Sequence, residues 1–391
     1  MTTTVVRPLP VSGCGVLSPA GFGLASLADA LADGQAGCSD PAEITADDDL
    51  PEPIRVVPGL RPREVLGRKG TRFLDRTTAL GLVASRMALE SAPEATTEDA
   101  GVVIGTSTGS VRSSSEFARD TLTQEKPYLV NPGLFPNTVM NCCAGQIAIW
   151  NSLRGVNATL SGGQMSSLHA MRYARNALDQ GQAGRLLVGG VEELSPQTAW
   201  AWRRSGALPE STPVGEACAV FVVDGQEGQN PDPDDVLVEL LACEVGYCPS
   251  PDRRPRLLDG LSRCVERAMR RSGLDGDDAP MVLSLSASSA GSGEERIEET
   301  AVDRVLDRPR STIRVKDTVG ECYSASGVLQ LAAAIAHWHT ERQTKKNDTP
   351  GIALITSVGR DGNVGCLVVR EGAGVAAALT APETGTDPAR Q

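Results

Sequence analysis

The sequence predicts an α/β protein built as two topologically matched halves, each a mixed sheet layered between helices. Three observations carry that expectation. Short β-branched runs alternate with stretches whose apolar residues recur at helical spacing. The order of those runs in residues 1–225 returns in residues 236–372, weakly residue by residue but in the same sequence of elements. Between them lies DGQEGQNPDPDD (224–235), polar, proline-bearing and without hydrophobic periodicity.

VVRPLPVSGCGVLSPAG (5–21) predicts an opening strand that breaks at its glycines and a proline. Residues 34–62, rich in Gly, Pro and Asp, predict surface loops. DRTTALGLVASRMALESA (75–92) predicts a helix, and GVVIGTSTG (101–109) a short buried strand running into a polar glycine loop. AGQIAIWNSLRG (144–155) predicts a helix closed by Gly155. TLSGGQMSSLHAMRYA (159–174) reads as a strand, a tight turn at Gly162 and Gly163, then a helix marked by Leu168, Met171 and Ala174. GRLLVGGVEELS (184–195) and EACAVFVVDG (216–225) complete the first half as strands. In the second half, VLVELLACEVGYCP (236–249) answers the opening strand and RLLDGLSRCVERAMRRSG (256–273) the 75–92 helix. MVLSLSASSAG (281–291) answers the 101–109 strand, and GIALITSVGRDGNVGCLVVREG (351–372) the strand pair of 184–225. Residues 373–391, rich in Ala, Thr, Pro and Gly, predict a disordered tail.

A chain of 391 residues that is 40% hydrophobic and 22% charged has the composition of an ordinary globular protein. Its net charge of −12 argues against general nucleic-acid binding, which needs a basic footprint. No apolar run reaches about 18 residues, so no membrane span is expected, and no secretory signal is read at the start. The ten cysteines are scattered without a CxxC pair. That pattern predicts buried thiols in a reducing cytoplasm, with neither a disulfide frame nor a metal site.

The turn at 162–164 has the form on which many enzymes mount a nucleophile, where a helix N-terminus aims its free N–H groups at a developing negative charge. The residue seated there is Gln164, a neutral amide and no nucleophile. A plainer reading has Gln164 satisfying backbone groups at the helix start. The chain has three histidines, and His169, five residues into the elbow helix, reads as structural or exposed. Ser166, Ser167 and His169 lack the spacing of a nucleophile and its base. Met140, Cys142 and Cys143 read as core. RPREVLGRKGTRFLDR (61–76) holds six basic and two acidic residues in an acidic chain, and reads as a solvated segment or a docking patch for an acidic partner.

Taken together, VSGCGVLSPAG, DRTTALGLVASRMALESA, VIGTSTGS, FPNTVMNCCAGQIAIWNSLRG, LLVGGVEELSP and KDTVGECYSASG resemble the thiolase-fold condensing enzymes, specifically the β-ketoacyl-acyl carrier protein synthases. The resemblance covers nearly the whole chain and implies a thiolase-like fold. That family performs a decarboxylative Claisen condensation with an elbow cysteine and two histidines. The resemblance places the cysteine on Gln164, the first histidine on Ala287 or Ser288, and the second on Glu321, the last register set by Lys316 and Gly320. A phenylalanine over the active cysteine falls on Arg360 in VGRDGN (358–363). No catalytic residue is therefore expected, and no cofactor.

Glutamine at the seat, with SLHAMRYAR after it and GECYSASG later, is most similar to the chain-length factor, the ketosynthase β subunit of type II polyketide synthases. That likeness implies no condensing activity alone, a heterodimer with an active ketosynthase α subunit, and an acyl carrier protein partner bearing a phosphopantetheine arm. It implies pairing through the strand near 156–162, and tunnel-blocking side chains from 112–124, where Phe117 and Leu122 are the apolar candidates. Arg61, Arg63, Arg68, Lys69 and Arg72 are the candidate carrier-protein docking residues. Glu321 and Arg360 are expected to meet as a buried ion pair, joined by Gln164, that closes the former cavity. Two alternatives stand beside this reading. One is a malonyl-acyl carrier protein decarboxylase with glutamine at the cysteine position, which would still need the histidines; the other is a homodimeric acyl-binding scaffold.

Overall fold

The computed structural model describes residues 5–36, 40–44, 50–92, 99–225, 231–249, 254–274, 281–289, 294–307, 310–344 and 349–376. The first half comprises β1 (Leu9–Ser18), β2 (Gly21–Phe22), α1 (Gly23–Asp33), β3 (Ile54–Arg55), α2 (Pro62–Val65) and α3 (Arg76–Ser91). It continues with β4 (Gly101–Gly105), α4 (Val111–Thr123), α5 (Cys142–Trp150), β5 (Asn157–Leu160) and α6 (Ser166–Asp179). It ends with β6 (Arg185–Glu192), α7 (Pro196–Ser205), β7 (Val214–Gly215) and β8 (Ala217–Asp224). The second half runs β9 (Val238–Tyr247), α8 (Arg254–Ser272), β10 (Met281–Ser284), α9 (Glu294–Asp303) and β11 (Arg310–Ile313). It closes with α10 (Val315–Val319), α11 (Ser326–Thr344), β12 (Ile352–Val358) and β13 (Asn363–Glu371).

The strands lie in the order β11-β10-β12-β13-β9-β1-β8-β6-β4-β5. Read outward from the centre, β1-β8-β6-β4-β5 and β9-β13-β12-β10-β11 have the same sequence of parallel and antiparallel neighbours. The halves meet where β1 pairs β9 over Leu9–Val11 alone. At and beyond the start of β1, guanidinium groups from α6 take up β9 carbonyls: Arg172 donates to Cys243 at 2.6 Å and Arg175 to Leu240 at 2.7 Å. Helices α6 and α11 touch strands of both halves, so they form the central layer, with α3 and α5 outside one half and α8 and α9 outside the other. This explains why α11 is apolar on every side: Val328, Leu329, Leu331, Ala332 and Ile335 are all buried.

Several expectations are corrected. β1 is a continuous strand through its glycines. A Cβ at Gly15 would lie 2.0 Å from the Ala84 carbonyl oxygen, and one at Gly13 2.4 Å from that of Ala88, so these glycines let α3 lie directly on the strand. α5 ends at Trp150, not at Gly155, which instead presses against the backbone of Asp99 and Ala100. Residues 34–62 are not all surface, since Ile44, Leu50, Ile54 and Val56 enter a small core with Leu194, Ala199 and Val214. Met140 is 41% exposed and Cys142 half-buried, leaving Cys143 as the core member of that group. Ala373–Ala376 form a turn whose Val375 carbonyl lies 3.0 Å from His339 Nδ1; residues 377–391 lie outside the described residues.

Candidate functional site

The elbow forms as expected. β5 ends at Leu160, a short turn spans Gly163–Met165, and α6 begins at Ser166. Gly163 holds φ +56°, a conformation that glycine adopts without strain. Ser166 fastens the turn by accepting from the Gly162 N–H at 3.0 Å and donating to the Gly163 carbonyl at 2.7 Å. Gln164 is buried beside Met165, at 6% exposure. His169 sits behind the turn, and burial lowers its pKa.

The second loop is built on α10. Its C-terminal Gly320 turns the chain so that Glu321 pairs with the β7 region: the Glu321 N–H donates to the Pro213 carbonyl at 2.8 Å, and the Gly215 N–H to the Glu321 carbonyl at 2.9 Å. The Glu321 carboxylate is 2.7 Å from Lys316 Nζ, both side chains being almost fully buried. Its other oxygen accepts from the Tyr323 N–H at 2.8 Å. Arg360 is exposed at the tip between β12 and β13. The expected Glu321–Arg360 pair is thus replaced by Glu321–Lys316, because α10 ends at Val319 and the turn at Gly320 brings Glu321 back onto Lys316.

At the first histidine position, Ala287 is buried and offers only a methyl group. Ser288 donates to Asp317 at 2.6 Å. The remainder of that loop, residues 290–293, lies outside the described residues. Beneath it Glu298 is buried, accepting from Ser286 N–H at 3.0 Å and from the hydroxyls of Ser286 and Thr356. Burial pushes its carboxyl up to about 7, against the pull of those donors and of Lys316.

Two residues near the elbow carry no signal that the motifs alone would raise. Glu192, at the end of β6, accepts from Ser107 of the loop after β4 at 2.7 Å and from Ser324. Burial raises it to about 7. Tyr323 lies between Glu321 and Ser324 with φ +38°, unusual for a bulky residue. The available signal was compositional: one of only four tyrosines stands in a loop otherwise made of small residues.

The other candidates lie apart from this cluster. On α4, Phe117 is half-buried and its ring packs 5.7 Å from that of Phe135, while Leu122 is 86% exposed. Arg61, which precedes α2, Arg63 on it, and Arg68, Lys69 and Arg72 after it are all exposed, with the Arg72 guanidinium 5.0 Å from the Phe73 ring centre. Among the described residues no cluster could hold a metal ion, and no helix is long and apolar enough to cross a membrane.

Comparison with known proteins gives a consistent picture. The family described as β-ketoacyl synthase, N-terminal domain, matches residues 7–228. The 3-oxoacyl-[acyl-carrier-protein] synthase 2 of Vibrio harveyi is 31% identical over 193 residues, which is 48% of this chain and 46% of that one, so the match spans about half of that relative. The solved ishigamide ketosynthase/chain length factor is 30% identical with a TM-score of 0.76, covering 93% of this chain and 99% of that one. The AntDE:AntF structure, a type II PKS acyl-carrier protein in complex with its ketosynthase bound to the hexaketide, shares the fold at 17% identity and a TM-score of 0.72, over 93% and 99% of the two chains. With an elbow, a matched second half and a family match over more than half its length, the chain belongs to the β-ketoacyl synthase family, and within it most resembles the chain-length factors.

Proposed function

We propose that this chain is a non-catalytic chain-length factor, pairing with an active ketosynthase α subunit in a type II polyketide synthase and helping to shape the chain-elongation tunnel. The observation that supports this reading is an intact elbow with Gln164 buried at its turn, and a buried Lys316–Glu321 pair at the position where the resemblance expects the second histidine. Condensation needs a thiolate to hold the acyl group and neutral imidazoles to stabilise enolate charge. A primary amide supplies no thioester, and a carboxylate repels an enolate.

Pairing is supported by β5, an edge strand joined only to β4 among the described residues. An open edge offers unpaired backbone groups. Helix α5 packs on β5, and the segment leading into it exposes apolar side chains. Of the eleven large hydrophobic side chains exposed among the described residues, seven fall between 122 and 149: Leu122, Tyr128, Leu129, Phe135, Val139, Met140 and Ile149. So much exposed apolar area marks an interaction surface, and obligate pairs bury on the order of 2,000 Å² or more. Exposed Arg61, Arg63, Arg68, Lys69 and Arg72 offer a basic surface suited to an acidic acyl carrier protein and its phosphopantetheine arm.

The test is co-expression with the cognate ketosynthase, followed by sizing and by assays of each chain alone. The expected result is a one-to-one complex, and a lone chain that neither condenses acyl groups nor decarboxylates malonyl-acyl carrier protein. Gln164→Cys alone is expected to remain inactive, because positions 287 and 321 still lack imidazoles and groups acting as a unit are not restored singly. Decarboxylation by the lone chain would make it a decarboxylase. Self-pairing that persists beside the ketosynthase would make it a homodimeric scaffold.

A further inference from the structure

We propose that Tyr323 is a built-in bolt that occupies the space in front of the elbow, so that the pocket of this chain is closed from within by its own aromatic ring. The inference rests on the non-catalytic reading above and deepens it, by naming what fills a site that no acyl chain enters.

Tyr323 is held in place from several sides. Its φ of +38° belongs to a region that a bulky side chain enters only when its surroundings impose it. Those surroundings are present. Its own N–H is held by Glu321, whose other carboxylate oxygen is held by Lys316. The preceding loop is stitched to Pro213 and Gly215 by backbone hydrogen bonds. The following residue, Ser324, donates to the Val191 carbonyl at 2.8 Å and bonds Glu192. The groups standing where a catalyst keeps its histidine thus work as a bracket.

The bracket aims the ring at the elbow. The Tyr323 hydroxyl comes to rest on Gly163, the neighbour of Gln164: a Cβ on Gly163 would lie 2.8 Å from that oxygen. The bare glycine is therefore needed twice, for its own φ and for the phenol above it. On the other side the ring meets Trp202 edge-on, with centroids 4.9 Å apart and planes at 78°. Trp202 is itself anchored. It lies on α7, which opens with a reciprocal Ser195–Thr198 capping box, and it packs on the small core of Ile54, Leu194 and Val214. The ring is clamped between a fixed wall and the elbow. Burial and the nearby Asp361 keep the phenol protonated, so it sits there as a neutral group.

The test measures access to residue 164 in the full chain co-purified with its ketosynthase. Gln164→Cys places a thiol at the seat, and its alkylation by iodoacetamide is followed on the peptide that contains it. With Tyr323 present, labelling is expected to be slow, because the reagent must wait for the loop to open. Adding Tyr323→Ala is expected to raise the rate about tenfold or more, while Tyr323→Phe, which keeps the ring, should leave it slow. If Tyr323→Ala does not fold, Trp202→Ala removes only the backing wall and is expected to raise labelling in the same direction. Fast labelling with the ring intact, or no rise in either alanine variant, would overturn the bolt and leave the non-catalytic reading standing. Condensation by the unmodified chain would overturn the non-catalytic reading and the bolt with it.

Discussion

Position 321 holds a carboxylate at 3% exposure, tolerated there because Lys316 stands 2.7 Å away. Glu298 is also buried, and burial raises its carboxyl from the ordinary 4.5 to about 7. Between those values the folded chain binds a proton that the unfolded chain has released, so Glu298's contribution to stability falls as pH rises from about 4.5 to about 7. Glu192 and Glu193, also raised to about 7 by burial, act in the same sense. Glu298→Gln is therefore expected to flatten the fall in the urea midpoint between about pH 5 and pH 8. An unchanged slope would mean that Glu298 is ionised in the folded chain. At this scale the positions that the family resemblance singles out, such as 164 and 321, were legible in the motifs, but the contacts made by the residues there were not. Whether Glu321 meets Lys316 or Arg360 depends on the turn at Gly320 and on where a hairpin tip points, and neither is encoded by spacing. Tyr323 escaped for the same reason, since its position follows from a backbone angle.

At the scale of elements, the elbow was readable because glycines, a β-branched strand and a periodic helix coincide within 159–174. β1 was misread because glycine marks both a break and a close approach, and only the neighbouring α3 decides between them. Helix α4 carries the length-setting candidates in two different states. Phe117 is half-buried against Phe135, so Phe117→Ala should cost the isolated chain about 1 kcal/mol as well as lengthen the polyketide made by the reconstituted pair. Leu122 is exposed, so Leu122→Ala should leave the chain's own stability unchanged and alter product length only through contact with a partner. Mass spectrometry of the products, alongside denaturant unfolding, checks both. Products of unchanged length from both variants would remove α4 from the tunnel.

At the scale of the whole molecule, the duplicated strand order was legible because each half repeats its run of elements, whereas the joining of both sheets through three residues of β1 was not. Ile149, 73% exposed on α5 next to the free edge, should matter only for assembly. Ile149→Asp is expected to leave the unfolding midpoint of the lone chain within about 0.5 kcal/mol while abolishing co-purification with the ketosynthase. Retained co-purification would place the interface elsewhere. The duplicated order has a final consequence. A sheet made of two like halves ends in two like strands, β5 and β11, and if both were sticky, copies could add end to end into a filament. They are not alike. β11 exposes Ser311 and Thr312, and its flanks are tied down by the ion pairs Arg310–Asp303 and Arg314–Glu299. Pairing at β5 would use up the apolar terminus of this chain and leave its far edge a hydrophilic, charge-flanked strand, so the chain offers one edge for joining and not two.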